Sequence, residues 1–555
     1  MVQMSGGQAV VQTLITLGAR AGFGVPGESY LAVLDAFCDA PSFRFIGCRN
    51  EGGAAFMAEA WAKLTGEVGL CFVTRGPGAT NASIGVHTAM QASTPMLLFI
   101  GQVGLEHQGR EAFQELDYRQ VFGPIAKYVT EITDVSRTPE IVRRAWSLAI
   151  SGRPGPVVVA LPEDVLTQSA QMHIPDAPIL PPKSAAVVED LELLAAKFLS
   201  AKRPVILAGG GRWEVQDRNA LQACARKLNI PVLTGFRYHD LFDNTDPLFV
   251  GEAGVGMTAN TKRLLTEADV VLAVNLRFGE MTTNAFTLFG ADRGEQWIAQ
   301  SHRSGDEFHK YVAPNLSMIS DPAPLLDGLR TRLEGQSMGQ DPAWATSARA
   351  GFNAAQTAKP QPSPVDMSVV TSTLQAVLPP DAIVTNGAGN FAIWPNKFMQ
   401  FSEHQRLLAP QSGAMGYGLP AAIAAKVAYP ERCVVCFAGD GDFQMNGQEL
   451  GAALQAGARP IVLIVNNGSY GTIRMHQERH YPRRVSCTDM INPDFAVLAR
   501  AYGFHGERIE RTEDVADAFL RALASPTGAV LDLNVASEAI TPGMTIKDLR
   551  SLSDD

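Results

Sequence analysis

Short runs of entirely apolar residues recur along the whole chain, separated by segments with helical patterns. Runs that are apolar on both faces are typical of parallel strands inside a sheet, and the helical segments would form the crossovers. The runs interpreted as strands are 69–73, 96–100, 157–160, 205–208, 232–234, 270–274, 382–385, 433–438, 461–465 and 529–534. This pattern predicts an α/β fold built from doubly wound parallel sheets.

Two stretches that lack apolar periodicity divide this pattern. Residues 174–183 are rich in proline, and residues 335–364 end in closely spaced prolines, so both are interpreted as linkers. A chain of 555 residues is also expected to split into about three domains. We therefore predict domains at 1–173, 184–335 and 365–540, and a solvated tail at 551–555.

Composition and charge exclude several classes of protein. A hydrophobic content of 46% with 51 Gly and 34 Pro suits a loop-rich α/β enzyme. A net charge of −10 without a basic run argues against nucleic-acid binding, and no apolar window is long enough to span a membrane. Seven cysteines, an odd number, fit reduced thiols better than a disulfide framework. We expect a cytoplasmic protein without nucleic-acid or membrane partners.

The candidate chemistry lies at the ends of two predicted strands. Gly439-Asp440-Gly441 follows one strand, and Asn466-Asn467 follows the next after 24 intervening residues, which include a predicted crossover helix. The two turns should lie side by side at the carboxyl edge of one sheet. The Asp440 and Asn467 side chains and the Ser469 carbonyl could give a divalent cation three oxygen ligands, and the glycines would let the backbone approach phosphates. The sequence thus predicts a metal diphosphate site.

Six segments resemble, in the same order, the acetolactate (acetohydroxyacid) synthase-like family of thiamine diphosphate enzymes. They are 24–27, 50–55, 76–81, 112–115, 416–422 and the metal motif. The resemblance extends over essentially all of the chain. It implies pyrimidine-binding, central and diphosphate-binding domains in that order, with thiamine diphosphate and Mg²⁺ as cofactors. It also implies a homodimer or homotetramer, in which the first domain of one subunit faces the third domain of another across the active site.

The resemblance assigns roles to four catalytic residues. Glu51 would hydrogen-bond the pyrimidine and activate the cofactor, and Met415 would hold it in its bent form. Gln114 would reach the reaction side, and His476 stands where the family has a tryptophan that favours a larger acceptor. The implied cofactor-binding residues are Pro26, Glu51, Pro77, Asn81, Asn390, Met415, Gly439, Gly441, Asp442, Phe443, Asn467, Tyr470 and Gly471; the metal ligands are Asp440, Asn467 and Ser469. Outside these motifs, Glu51 would be an ordinary helix-start charge and Met415 a core residue.

Several positions depart from the family pattern. Asn390 and Phe391 replace a Gln and a His that contact the diphosphate, and Asp442 replaces a serine, so we expect its side chain to turn away. Arg75 replaces a small residue and could meet an anionic substrate or form a surface salt bridge. Residues 209–212 and 275–280 loosely resemble flavin-binding segments, so FAD could be bound there, or these segments could be structural.

The expected activity is decarboxylation of a 2-oxo acid, pyruvate being favoured, with transfer of the acyl anion to a carbonyl acceptor. The enzyme alternative is a decarboxylase or aldehyde lyase acting on another 2-oxo acid, a 2-hydroxy ketone or an acyl-CoA. A non-catalytic regulatory homologue is the alternative from another class. The presence of Glu51, Asp440 and Asn467 together argues against it.

Overall fold

The computed structural model describes residues 1–174 and 176–554. Within these residues, three parallel six-stranded sheets are flanked by helices, and a two-stranded antiparallel sheet joins the two ends of the first domain. This architecture confirms the predicted α/β class with three doubly wound sheets. None of the helices in the described residues is both long enough and apolar enough to cross a membrane.

The first sheet has the strand order β3-β2-β4-β5-β7-β6. The strands of this domain are β1 Val2–Ser5, β2 Ala21–Gly24, β3 Arg44–Gly47, β4 Gly69–Val73, β5 Met96–Gln102, β6 Tyr128–Glu131, β7 Pro156–Pro162 and β8 Ser169–Met172. Its helices are α1 Gly6–Thr16, α2 Leu31–Cys38, α3 Glu51–Thr65, α4 Gly76–Ala92, α5 Tyr118–Phe122, α6 Thr138–Ile150 and α7 Glu163–Thr167. Strands β4, β5 and β7 are buried along their whole length, as their uninterrupted apolar sequences require.

The central sheet has the order β11-β10-β9-β12-β13-β14. Its strands are β9 Pro204–Ala208, β10 Val232–Gly235, β11 Phe249–Ala253, β12 Val270–Val274, β13 Trp297–His302 and β14 Leu316–Ile319. The helices are α8 Val188–Ser200, α9 Val215–Leu228, α10 Ala259–Glu267, α11 Pro322–Arg332 and α12 Trp344–Ala355. Helix α12 corrects the interpretation of 335–364 as a linker, because Trp344, Ala348 and Phe352 form one buried apolar face.

The third sheet has the order β16-β15-β17-β18-β20-β19. Its strands are β15 Ile383–Asn386, β16 Arg406–Leu408, β17 Val434–Gly439, β18 Ile461–Asn466, β19 His505–Ile509 and β20 Ala529–Asn534. The helices are α13 Met367–Val377, α14 Ile393–Phe398, α15 Gly418–Ala428, α16 Asp440–Gln444, α17 Leu450–Ala456, α18 Gly471–His480, α19 Phe495–Ala501, α20 Val515–Ala524 and α21 Ile546–Asp554.

The predicted domain limits stay predictions, but two of the regions outside them can be described. Helix α21 includes residues 551–554 of the predicted solvated tail, and Asp555 lies outside the described residues. The predicted linker 174–183 includes Pro175, which also lies outside them.

The first and third domains of the chain share a core. Small residues on α3 and α15, such as Ala55, Ala58 and Ala421, belong to one buried cluster. Inside this contact, the buried Tyr417 hydroxyl donates to Glu59 at 2.5 Å, and Thr94 donates to the same carboxylate at 2.8 Å. The loops at the carboxyl edges of the two sheets therefore have a defined relative position.

Candidate active site

The ends of β17 and β18 meet at a cavity in the third domain. The two strands are parallel hydrogen-bonded neighbours, with Gly439 opposite Val465. The cavity measures about 260 Å³. Predicted site residues that line it are Asn390, Met415, Gly439, Asp440, Gly441, Asp442, Asn467, Ser469, Tyr470 and Gly471. The parallel register thus brings together two turns that are far apart in sequence.

Asp440 is a buried carboxylate held by neutral donors. One oxygen accepts from the Gly468 N–H at 2.8 Å and from Asn492 Nδ2 at 2.7 Å, and the other from the Gly441 N–H at 2.9 Å. Burial raises its pKa, although these hydrogen bonds oppose the shift. Among the described residues no basic side chain pairs with Asp440, so its charge is left for a cation to neutralise.

The other two predicted ligands lie in the turn after β18. Asn467 Oδ1 accepts from the Ser469 N–H at 3.1 Å, and Gly468 takes a left-handed conformation, with φ 62°, that lets the turn close. Ser469 is buried, and its hydroxyl has no hydrogen-bond partner among the described residues. In that part of the chain there is no cluster of three or more His, Cys, Asp or Glu able to hold a metal. A cation here would rely on Asp440, neutral oxygens and the phosphates of a ligand.

Asp442 joins two loops that border the cavity. Its Oδ1 accepts from the Ala388 N–H at 3.0 Å and from the Gly416 N–H at 2.9 Å. Burial raises the pKa of this carboxyl group to about 7, while the two N–H donors and Arg237 lower it. These hydrogen bonds hold the backbone of the loop after β15 and the backbone just after Met415.

Asn390 links the cavity to the C-terminal segment. Its amide nitrogen donates to the Ile540 carbonyl at 3.0 Å, and its amide oxygen accepts from the Thr472 hydroxyl at 2.9 Å. The ring of the neighbouring Phe391 packs against Gly439. A Cβ added to Gly439 would lie 2.7 Å from this ring. The Asn390 side chain is thus hydrogen-bonded to other protein groups, and the Phe391 ring packs against the protein backbone.

Hydrogen-bonded ion pairs hold the C-terminal helix α21 against α18, whose first residues line the cavity. Glu478 is fully buried and accepts from Arg550 at 2.9 and 2.6 Å and from Arg474 at 3.0 Å. The Arg550 hydrogen bonds, then the other donors, lower the pKa of Glu478 to about 2. Ile540 and Ile546 pack with Met475 beside this ion pair. The segment from Ile540 to Arg550 therefore supports one wall of the site.

Glu51 lies at the edge of the first sheet, where α3 begins. Its Oε2 accepts from Asn81 Nδ2 at 2.9 Å. A Cβ at Gly78 would lie 3.1 Å from its other oxygen, so the glycine keeps the approach to that oxygen open. Glu51 and Asn81, two of the residues predicted for the site, therefore form a hydrogen-bonded pair.

A carboxylate from the third domain holds the loop before Glu51. Glu449, also fully buried, accepts from the Arg49 N–H at 3.1 Å and from the Asn50 N–H at 2.8 Å. Burial raises its pKa to about 7, and these two N–H groups oppose the shift. The start of α3 is therefore anchored on the domain that carries the metal motif.

Some predicted residues are not brought to the cavity. The described residues that line it all lie between Ala388 and Ile540, so it includes no residue of the first domain. Gln114 is half-buried with φ 65°, near the first sheet, and Pro26 and Pro77 are exposed. The predicted site residues of the first domain therefore lie apart from those of the third domain within one chain.

Three further positions differ from the prediction in detail. The ring of Phe443 packs against Phe495 at 5.5 Å between centroids, so only its backbone could serve a ligand. His476 is exposed on α18 and stacks on His480, and burial together with Arg479 lowers its pKa. Arg75 is buried and pairs with the exposed Glu28 at 2.8 Å, which favours the salt bridge over a substrate contact.

Comparisons with known proteins match three segments of the chain to three domains of one enzyme family. Residues 4–121, 191–329 and 387–533 match the N-terminal TPP binding domain, the central domain and the C-terminal TPP binding domain of thiamine pyrophosphate enzymes. The acetolactate synthase large subunit of Parasynechococcus marenigrum is 34% identical, over 96% of this chain and 88% of the relative. This chain belongs to the acetolactate synthase-like thiamine pyrophosphate enzymes.

Other relatives of the family support the same assignment. The acetolactate synthase large subunit of Lactococcus lactis is 33% identical over 92% of this chain and 89% of its own length. The acetolactate synthase isozyme 3 large subunit of Escherichia coli is 31% identical over 94% and 93%. The likeness therefore extends over nearly the full length of both proteins, and the cofactor of the family is thiamine diphosphate, the TPP of the domain names.

Sequence reasoning missed several residues around the candidate site. Asn492 bonds both Asp440 and the Asn466 side chain, and only its place in an Asn-Pro turn could have indicated it. Glu449 and Glu478 lie within helices, and nothing local distinguishes a buried acid from a solvated one. Their roles depend on partners 399 and 72 positions away.

Proposed function

We propose that this enzyme uses Mg²⁺ and thiamine diphosphate to decarboxylate a 2-oxo acid, pyruvate being favoured, and to transfer the acyl unit to a carbonyl acceptor. The relatives named acetolactate synthase support this activity. The observation that carries the proposal is Asp440, a buried carboxylate without a basic partner among the described residues, beside two predicted oxygen ligands.

The residues present suit a magnesium diphosphate. Asp440, Asn467 and the Ser469 carbonyl would bind the metal, and the Gly441 region would lie against the phosphates. A Cβ at Gly441 would lie 2.7 Å from the Tyr470 ring, so a larger residue would disturb this wall. The chemistry that bound thiamine diphosphate supplies is an acidic carbon that adds to a carbonyl and takes up electrons as carbon dioxide leaves.

Glu51 would activate the cofactor by accepting a hydrogen bond from its pyrimidine ring. Asn81 orients the carboxylate through one oxygen, which leaves the other for the ligand. Met415 lines the cavity next to the loop that Asp442 holds, where a bulky apolar side chain would limit how the cofactor can bend. These residues bind and orient, and Glu51 holds the hydrogen bond on which activation depends.

We further propose that the functional unit is at least a homodimer. Glu51 and the cavity belong to separate halves of one chain, and exposed apolar side chains accompany both halves: Phe113 is 74% exposed and Ile473 54%. A second copy would supply the first domain that faces the cavity, and its approach would cover these residues. His476, exposed on the same helix as Ile473, would then be a candidate contact for the acceptor.

The first experiment incubates the purified protein with Mg²⁺, thiamine diphosphate and pyruvate, and follows carbon dioxide and acetolactate by mass spectrometry. Both products are expected. Carbon dioxide with an aldehyde alone would move the assignment to a decarboxylase. Pyruvate left unconsumed would refute it as the substrate, and a panel of 2-oxo acids and 2-hydroxy ketones would follow.

A mixing experiment tests the shared site and the role of Glu51 together. Glu51→Gln should fold and bind cofactor but lose most turnover, and Asp440→Asn should lose metal-dependent binding. Mixed dimers would contain one intact site, so equal amounts, dissociated and reassociated, should recover about a quarter of wild-type activity. Recovery of none, with exchange of subunits verified by mass, would mean that each site lies within one chain.

A further inference from the structure

The backbone around Met415 contains two glycines in the left-handed conformation. Gly413 has φ 69° and Gly416 has φ 81°, so Met415 lies on a short span between two permissive backbone positions. Such a span keeps a single conformation only when the segments on both of its sides are held. The place of Met415 in the cavity therefore depends on contacts made outside the span.

The side that follows Met415 is held by the third domain itself. The Gly416 N–H donates to Asp442 at 2.9 Å, and the Gly416 carbonyl accepts from Asn446 Nδ2 at 2.9 Å. Both partners belong to the segment after β17 that begins with Asp440. This side of the span is thus fixed to the metal motif.

Two cations from two other domains hold the backbone between β16 and Met415. Lys63 Nζ, from helix α3 of the first domain, donates to the Ala409 carbonyl at 2.7 Å. Arg237, from the loop after β10 of the central domain, donates through Nη1 to the next carbonyl, that of Pro410. Hydrogen bonds from charged donors are stronger than those between neutral groups. Two consecutive carbonyls are thus held from outside the third domain.

Two weaker contacts of this segment reach the same two domains. The Ser412 hydroxyl lies 2.8 Å from the Thr88 hydroxyl of α4, and Gln411 Nε2 lies 3.5 Å from the Arg237 carbonyl. Among the described residues, the side-chain hydrogen bonds of residues 409–412 all join this segment to the first or the central domain. The side that precedes Met415 therefore depends on those two domains.

Arg237 is held where it can reach this segment. Its backbone is left-handed, with φ 60°, which is unfavourable for a residue with a side chain, and its N–H donates to Glu252 at 2.6 Å. The residue is only 6% exposed. Burial lowers the pKa of Arg237 to about 10, and Glu252 opposes this shift, so the guanidinium is charged at neutral pH.

Neither cation is neutralised by a close carboxylate. In the part of the chain that the structure describes, the ion pairs do not include Lys63 or Arg237, and the nearby Glu252 pairs with His239. Burial lowers the pKa of Lys63, although Glu59 opposes the shift. A buried cation without an acidic partner needs other acceptors, and here the two consecutive carbonyls accept.

We propose that Arg237 and Lys63 are positioning residues that fix Met415 from the central and first domains, and through it the bend of the bound thiamine diphosphate. The inference rests on the proposed function, in which Met415 limits how the cofactor can bend. It gives the central domain a defined part in cofactor activation, exerted through the backbone of the third domain.

The first test measures whether the two cations hold the segment. Amide hydrogen–deuterium exchange of the peptide 409–417 is followed by mass spectrometry in Arg237→Met and Lys63→Met, with and without Mg²⁺ and thiamine diphosphate. Exchange should be at least about fivefold faster than in wild type, and Arg237→Lys, which keeps a donor, should be closer to wild type. Unchanged exchange in both methionine variants would overturn the proposal.

Arg349→Met is the matched control for this measurement. Arg349 also donates to three backbone carbonyls, but all three belong to the central domain. Its loss should leave the exchange of the peptide 409–417 unchanged. Equally fast exchange in Arg349→Met would mean that any loosened central domain frees the segment, which would overturn the specific role of Arg237.

The second test measures cofactor activation without substrate. Exchange of the C2 proton of bound thiamine diphosphate with deuterated water is followed by NMR after acid quenching. Arg237→Met and Lys63→Met should each slow this exchange by at least about tenfold. Cofactor affinity, measured by calorimetry, should stay within about threefold of wild type. In the Met415→Ala background, Arg237→Met should cause little further slowing, because both changes act on the same side chain.

The outcomes separate this inference from the proposed function. Slow C2 exchange in Met415→Ala with wild-type exchange in both cation variants would overturn the inference alone. Wild-type exchange in Met415→Ala would refute the proposed role of Met415 and the inference with it. Fully additive slowing in the double variant would mean that Arg237 acts by another route, which also overturns the inference. Thermal melting checks that each variant folds, and Lys63→Met tests the inference by itself.

Discussion

The carboxyl edges of the central and third sheets are similar, but their buried carboxylates have different partners. Both are parallel, both place buried carboxylates at strand ends, and both have glycines where the backbone is crowded. In the central sheet Arg303 pairs with Asp217 and Asp321. In the third sheet Asp440 has only amide donors among the described residues.

The two edges therefore differ in charge balance rather than in fold. A buried carboxylate that is paired with a basic side chain gains no stability from a bound cation. A buried carboxylate with only neutral donors is stabilised by one.

The largest expected effect comes from exchanging Asp440 for asparagine. This change keeps the shape but removes the charge that Asp440 offers the metal, so activity at fixed Mg²⁺ should fall by more than about a hundredfold. Titration of Mg²⁺ and thiamine diphosphate by calorimetry would show the loss of coupled binding. The matched change in the central sheet, Asp321→Asn, should leave cofactor affinity unchanged, and an equal loss in both variants would remove the distinction between the edges.

A smaller effect is expected at the C-terminal wall of the third-sheet site. Glu478→Gln weakens the contact with Arg550, so the wall should loosen and thiamine diphosphate should dissociate about tenfold more readily, with turnover at saturating cofactor largely kept. Apparent cofactor affinity against maximal rate separates these quantities. Glu513→Gln, in an exposed pair with Arg511, is the control and should change neither. A lower maximal rate with unchanged cofactor affinity would contradict the role of Glu478 in holding this wall.

The smallest effect concerns pH and Asp442. Its folded pKa is about 7, against about 3.9 in an unfolded chain. Between these values the folded protein holds a proton that the unfolded chain has lost, so the group's contribution to stability is present below about pH 4 and is lost as pH rises through about 7.

Asp442→Asn should remove this dependence. Without cofactor, the melting temperature of the variant relative to wild type should rise by about 3 °C or more between the two ends of that range. Parallel pH profiles for the two proteins would show that Asp442 does not titrate there.

Local patterns were enough to predict much of the fold and the metal motif. Apolar runs such as 69–73 and 270–274 became strands with the predicted limits, because a strand buried on both faces has no alternative composition. Asp440 and Asn467 came together as predicted, because parallel neighbours end at one edge. Helices α12 and α21 were missed, since their apolar faces are short and interrupted by polar residues.

The amino-acid sequence by itself determined the class of fold, the family and the residues that suit a metal diphosphate, since these depend on strand composition and on turns that follow strands directly. Only the tertiary structure decided which acids remain available to a ligand. Asp440, Asp217 and Glu478 are the same kind of residue in sequence, and they differ because pairing in a buried place depends on side chains brought in from distant parts of the chain. A charge that is removed from water needs a partner, and the fold determines which group lies close enough to be that partner.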